Sequence, residues 1–429
     1  METSGTQRRV AVCVVMLSTL ALSQDSKTID LKSAEELKVR YISGEEVREL
    51  IGNVHFIQTT ASGQRVRVWC DRAIRFMNQN KVDLYGRVRI VRDSVTITSP
   101  EGTYFANERR AEMRKQVRLE KGQTVLTSRY GEHFVDEKTS FFRDDVKLVD
   151  LTSTVTCTSL QFLESEQKSI AVGNVVVVNS QNSVTLFGDS LVHFDQRNYT
   201  LIPKNPRMMQ VDTSSLGVID TFLVVGRVMH SYGDSTERFV AEDSVAMARS
   251  SMSARCGVAT YLASRDIITL ERQPVVWETL NQVTGDSIVV RLKNNRLHTV
   301  YVQGRAMAVS RADSVRRNRF DQLTGRALTM YFARQRLAQV DVERNATSLY
   351  YLYDNEQPNG VNKSSGDRIF IDFENGKADR IKIVGGVQGQ YFPEKMIAGK
   401  EGNYNLDGFR WFDVRPRRRQ LQIVNEYYE

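Results

Sequence analysis

Proline and cysteine are scarce. Seven prolines in 429 residues leave room for long runs of ladder-bonded strand, because proline has no amide hydrogen to give a sheet. The four cysteines, Cys13, Cys70, Cys157 and Cys256, lie far apart without C-x-x-C spacing. This excludes a disulfide framework and a zinc ribbon. Cys13 falls in the N-terminal leader, and the other three read as small buried residues. The five histidines, His55, His133, His193, His230 and His298, are scattered. No G-x-S-x-G, H-E-x-x-H or P-loop pattern is present, so those hydrolase, metalloprotease and nucleotidase chemistries are excluded. No enzymatic activity, cofactor or metal site is expected. Beyond the leader, no apolar run is long enough to cross a bilayer as a helix.

What is present is a strand-forming, evenly charged chain. Hydrophobic content is 41%, too high for a disordered polymer. The net charge of +8 is spread along the chain rather than gathered in a block. It reads as solvated strand faces with a weak preference for anionic partners.

Residues 1–23 have the anatomy of a cleaved secretory signal: Arg8-Arg9, an apolar stretch from Val10 to Leu22, and Ala21-Leu22-Ser23 before Gln24. A retained N-terminal anchor is the competing reading. Export argues against a nucleic-acid partner.

The body is a repeat. Residues 366–387, GDRIFIDFENGKADRIKIVGGV, give its fullest form: a Gly-Asp step, an alternating strand, an Asn-Gly turn suited to a type I′ hairpin, a second alternating strand, then Gly-x-Val. Earlier copies place the acidic or small step at 71, 102, 131, 159 and 189, which are 28 to 31 residues apart. Later copies begin at 243, 257, 286 and 325, and residues 294–304 echo 375–385. A fixed period in this range marks units that bury their apolar faces only by stacking. The internal period of two makes the elements strands. Pro203-Lys204-Asn205-Pro206 is the strongest punctuation. The expected organisation is a signal (1–23), a first block (24–205), a second block (206–392) and an aromatic, basic tail (393–429). The tail reads either as a terminal strand capping the last rung or as a docking segment.

Alternation places Val54 and Phe56, Val88 and Ile90, Val117 and Leu119, Val146 and Leu148, and Val175 and Val177 in aligned columns on one face. Phe76, Phe105, Phe134, Phe162 and Phe194 are expected to form a second column. His133 and His193, each just before a column phenylalanine, then fall on the opposite, exposed face. Asp71, Asp189, Asp243, Asp286 and Asp367 read as turn residues at strand starts.

The leader, together with Gly86-Arg87-Val88-Arg89-Ile90 and Thr96-Ile97-Thr98-Ser99, Gly173-Asn174-Val175-Val176-Val177, Gly188-Asp189-Ser190-Leu191, and Gly366-Asp367-Arg368-Ile369 with Phe373 to Val384, resembles the OstA-like family. That family comprises the periplasmic lipopolysaccharide-transport bridge protein (LptA) and the matching N-terminal domain of the outer-membrane translocon (LptD). The resemblance covers about residues 30–392. It implies an all-β fold, an elongated twisted V-shaped β-jellyroll of stacked antiparallel strands, here in two continuous blocks. It also implies a non-catalytic role in outer-membrane assembly, in which an apolar groove shields the acyl chains of lipopolysaccharide or a related glycolipid. The columns above, with Ile369, Ile371 and Phe373, become the groove candidates. Implied partners are other Lpt components and further copies of the chain, docked through the edge strands near 37–56 and 366–387. The chain departs from the family in being longer than a single-domain bridge protein and in lacking room after 392 for a membrane barrel.

Two other classes compete. A purely structural, self-assembling envelope β-protein would have a sealed core. A polysaccharide-binding or polysaccharide-cleaving β-solenoid needs aromatic platforms and clustered carboxylates, and the dispersion of Trp69, Trp277 and Trp411 counts against it.

Overall fold

A computed structural model describes residues 28–59, 65–179, 183–213, 219–233, 237–250, 252–293, 296–313, 315–334, 336–355, 357–374 and 377–422. The leader and the turn residues 294–295 and 375–376 lie outside the described residues. The fold is all-β, a jellyroll of stacked antiparallel strands, with 28 strands and only short helical turns among the described residues. The chain divides into two compact units. One runs to Pro206 and includes His230–Asp234; the other comprises Arg207–Met229 and the residues from Ser235 onward.

The first unit is the more regular. After the edge strands β1 (Thr28–Ser33) and β2 (Glu36–Ile42) come β3 (Glu45–Thr59), β4 (Arg65–Phe76), β5 (Lys81–Arg92), β6 (Val95–Phe105), β7 (Arg110–Lys121), β8 (Thr124–Phe134), β9 (Thr139–Val149), β10 (Ser153–Leu163), β11 (Lys168–Asn179), β12 (Val184–Phe194) and β13 (Tyr199–Lys204). From β3 to β12, each strand pairs with its neighbours in sequence. Hairpin turns such as 77–80, 106–109 and 135–138 close one end of the strands.

Every second strand is bent at its middle. Gly52-Asn53, Gly86-Arg87, Lys115-Gln116, Asp144-Asp145 and Gly173-Asn174 each put two consecutive residues at positive φ. The register slips at the same points. These are β-bulges, which bend a strand and increase its twist. The Gly-x-Val signature therefore marks a bend inside a long strand and not the start of one.

The same bends account for the repeated aspartates, in a way turn chemistry does not. Asp71 lies in mid-strand, and a Cβ on Gly86 of the neighbouring bend would stand 2.3 Å from its carboxylate. Arg87 closes over that carboxylate, its Nη2 donating at 2.5 Å. Asp286 stands in the same relation to Gly304 and Arg305, and Asp367 to Gly385. Asp189 accepts from Asn205 at 2.7 Å, and Asp243 is itself left-handed, with φ of 58°.

The bend splits each strand into two halves whose inner faces meet. Ile90, Ile97, Val117 and Leu119 from one set of halves and Met113, Gly131, His133 and Phe142 from the other surround a gap of about 40 Å3. Val54, Val68, Leu84, Val88, Ile90, Met113 and Val117 belong to one buried cluster across this interface.

After β14 (Arg207–Thr213), β15 (Ile219–Val225), β16 (Val228–Tyr232), β17 (Arg238–Ala248), β18 (Met252–Leu262), β19 (Ile267–Glu271), β20 (Val275–Glu278), β21 (Asn281–Thr284) and β22 (Ser287–Lys293), the long bent strands of the second unit are β23 (Arg296–Arg311), β24 (Phe320–Ala333), β25 (Arg336–Asp354) and β26 (Gln357–Glu374). Left-handed pairs at Gly304-Arg305 and Arg344-Asn345 recur there. After β27 (Lys377–Val384) and β28 (Gln388–Pro393), residues 394–422 leave the strand pattern. This segment does not add a terminal strand. It folds back over the unit, burying Ile397 and Leu406 in one apolar cluster and Leu421 in another.

Candidate functional site

The inner columns are the feature that the repeat builds most consistently. One column crosses ten strands in unbroken register: Phe56, Val68, Ile90, Ile97, Leu119, Leu126, Leu148, Val155, Val177 and Leu186. At ~4.8 Å per strand it runs for about 43 Å. All ten residues are apolar. Eight are buried, and Phe56 and Ile97 are half-buried against the same core. Alongside it, Val54, Val88, Val117, Val146 and Val175 pair with Cys70, Ser99, Ser128, Cys157 and Gly188. Small partners on the intervening strands make room for the valines.

The structure thus brings together Val54, Phe56, Val88, Ile90, Val117, Leu119, Val146, Leu148, Val175 and Val177. Sequence reasoning missed Val68, Ile97, Leu126, Val155 and Leu186, the contributions of the intervening strands. Their signal is the alternation in Thr124–Ser128 and Ser153–Cys157, where Leu126 and Val155 are buried between half-buried neighbours.

The phenylalanine column is corrected. Phe76, Phe105, Phe134 and Phe194 share a row, but on the outer face, half-buried. Cations from the paired strands cover three of them: Lys81 Nζ lies 4.8 Å from the Phe76 ring, the Arg110 guanidinium 4.2 Å from that of Phe105, and Lys168 Nζ 5.6 Å from that of Phe194. Phe162 belongs to the inner face and pairs with Ser140 and Ser169. Its counterparts in the neighbouring repeats are His133, paired with Ser140, and His193, paired with Ser169. Leu163, not Phe162, matches Phe134. One residue of offset exchanges the faces of a strand.

The two histidines are therefore buried, not exposed. His133 is 9% exposed, and its Nδ1 donates to the Thr139 carbonyl at 3.1 Å. Burial, with a smaller contribution from the charge of Arg92, pushes its pKa down to about 4. His193 places Nδ1 2.8 Å from Thr200 Oγ1 and Nε2 3.2 Å from Asp195 Oδ1.

In the second unit, Leu270, Ile288, Val302, Leu328, Val342, Ile369 and Ile383 form a second apolar column. Ile369 is fully buried within it, while Ile371 and Phe373 are half-buried. The thiols are likewise internal. Burial raises the pKa of Cys70 and Cys256 to about 12 and that of Cys157 to about 11. Among the described residues, no group of three or more His, Cys, Asp and Glu is placed to hold a metal ion, and no helix is long and apolar enough to cross a membrane.

The edges of the array have a common design. β1 and β2 pair with the two halves of β3, and β27 and β28 pair with the two halves of β26. On β2 the face that continues the inner rows carries Leu37, Val39 and Tyr41, which are 61%, 56% and 73% exposed.

Bent hairpins stacked into a sheet, with an apolar stripe held between their halves, define a repeat β-protein whose working chemistry is burial. Comparison with known proteins specifies the class. Residues 26–181 match the family model described as OstA-like protein, and residues 154–296 match that of the LptA/(LptD N-terminal domain) LPS transport protein. The two matches overlap at residues 154–181 and together identify OstA-like sequence over residues 26–296. A solved structure, that of LptH, the LptA-homologous periplasmic component of the lipopolysaccharide transport device of Pseudomonas aeruginosa, is similar at 17% identity. It covers 28% of this chain and 82% of that one, with a TM-score of 0.25. No curated protein matches the chain.

Proposed function

We propose that this chain is a non-catalytic scaffold of the cell envelope that carries lipopolysaccharide between membranes, holding acyl chains against the inner columns. The observation that carries the reading is the ten-residue apolar column, which offers about 43 Å of continuous hydrocarbon surface. Transfer of acyl chains onto such a surface is favoured by ~25 cal/mol per Å2 buried. With no directional polar bond along the column, cargo is free to slide. These residues are shielded from solvent, so uptake requires the two halves of the bent hairpins to part. The halves are joined covalently at the bends and otherwise by side-chain packing.

We further propose that the two units correspond to two OstA-like blocks, 24–205 and 206–392, that the protein is exported to the periplasm, and that it docks end to end with other Lpt components or with its own copies. The exposed Leu37, Val39 and Tyr41 of β2, next to a backbone edge unpaired among the described residues, support docking at that end.

Photo-crosslinking in living cells tests this reading. A photoreactive residue replaces Val88, Val146, Val177 or Ile369 in turn, with Arg89 and Phe134 as outer-face controls. Lipopolysaccharide adducts at the column positions and none at the controls are the expected result. The sealed inner face also suits a purely structural envelope protein. Absence of adducts at every position, in a folded and exported protein, would favour that alternative and end the transport reading.

A further inference from the structure

The returning C-terminal segment builds a second site in the second unit, on the face opposite the inner column. Ala306 stands two residues past the left-handed Gly304, as Val88 stands past Gly86, which places it on the inner face. Met307 and Val309 therefore belong to the outer face. Two rows cross the strands on that side. One is Trp277, Gln282, Val309, Gln322 and Leu349. It grips the segment by its backbone. Gln282 donates to the Arg410 carbonyl at 2.7 Å and accepts from the Phe412 amide at 2.8 Å. Trp277 Nε1 donates to the Phe412 carbonyl at 3.1 Å, and Gln322 accepts from the Leu406 amide at 2.8 Å. The segment alternates like a strand. Phe409 and Trp411 turn into the cluster around Phe320. Arg410, Phe412, Val414 and Pro416 turn the other way, over a cleft of about 1170 Å3.

The floor of that cleft is the adjacent row: Ala246, Arg255, Val275, Thr284, Met307 and Thr324, one residue from each of six paired strands. The row spans about 24 Å across the six strands; Ala246, Val275 and Met307 are each 4% exposed, and Ala246 packs with Leu421. The lining of the cleft combines aliphatic side chains with four arginines, Arg255, Arg272, Arg305 and Arg410, against only two carboxylates, Asp286 and Asp407. Arg305 is engaged by Asp286, Arg272 lies 3.8 Å from the Asp243 carboxylate, and Arg255 lies over the rings of Trp277 and Phe412. The exposed Arg410 has no acidic partner among the described residues.

We propose that this channel binds a phosphate-headed lipid, its chain lying along the six-strand row beneath the C-terminal segment and its headgroup meeting Arg410 and Arg272. Length and aliphatic lining select a chain, and the excess of arginine selects an anion. The site rests on the lipid-carrying reading only for its class of ligand, because it lies on the other face from the inner columns.

Isothermal titration of the mature chain with lysophosphatidic acid below its micellar concentration tests this. Lysophosphatidylcholine of the same chain length and inorganic phosphate are the comparison ligands. One lysophosphatidic acid per chain is expected, bound at least about tenfold more tightly than either, with Arg410→Glu weakening it about tenfold. Among the described residues Arg410 is held through its backbone carbonyl, so this variant keeps the structure. Thr284→Phe, which fills the channel, should remove binding, and a photoreactive residue at Val414 should form the lipid adduct. Equal affinity for the two lipids, equal affinity for phosphate alone, an unaffected Arg410→Glu variant or no binding would each overturn the proposal. Adducts at Val88 but not at Val414 would also overturn it while leaving the inner-column reading standing. Adducts at Val414 alone would separate the two the other way.

Discussion

His133 offers a quantitative test of the inner face. Its folded pKa of about 4 lies below the ~6.5 of an unperturbed histidine. Between those values the unfolded chain takes up a proton that the folded protein refuses. Stability is therefore complete above pH ~6.5, falls as pH drops through the window, and levels off below about 4. At pH 4.5 the linkage amounts to about 2.5 kcal/mol, and at pH 7.5 it is close to zero. The substitution to make is His133→Phe, because Phe162 fills the same row one repeat on. At pH 7.5 the variant should differ from the parent only by packing and by one hydrogen bond, worth ~1 kcal/mol. At pH 4.5 the difference should have moved by about 2.5 kcal/mol in favour of the variant. Urea unfolding followed by circular dichroism from pH 4 to 8 measures this. Every other ionisable group is common to both proteins and cancels. Parallel stability curves across that range would refute the placement of His133 as a buried neutral base.

Two further predictions concern the bends and the thiols. Gly86→Ala should cost about 1–2 kcal/mol, because φ is +71° and the new methyl displaces Asp71. Arg87→Ala, which removes a surface ion pair whose side chains are 80% and 42% exposed, should stay within ~0.5 kcal/mol; equal losses in denaturant melts would contradict the bend geometry. Cys70, Cys157 and Cys256 are buried and should resist a disulfide reagent at pH 8 until denaturant is added, with labelling then following unfolding. Rapid labelling of the folded protein would place them at the surface.

The parts legible in the sequence are those that the repeat states many times. The strands, their stacking and the valine columns follow from alternation and from the Gly-x-Val step, because a bend every second strand needs a residue tolerant of positive φ. Phe162 was misplaced because an aromatic near a turn looks alike on either face, and only register distinguishes Phe162 from Leu163. The aspartates were misread because their partner, a glycine on the neighbouring strand, is 15 to 18 residues away at Gly86, Gly304 and Gly385. The returning tail has no periodic signature at all. It is held by glutamine side chains more than 80 residues distant, a long-range match that no local pattern announces.

The left-handed pairs at 86, 115, 144 and 173 are spaced by 29 residues each. Every repeat thus delivers one complete out-and-back excursion of the chain and returns it to the same phase. Inserting or deleting a whole repeat would lengthen or shorten the first unit by about 10 Å, two strands at a time, and leave each neighbour's surroundings intact. Removing a single residue would turn a strand inside out. Such a unit is a ruler graduated in hairpins, its length set by the number of repeats and not by redesign of any contact.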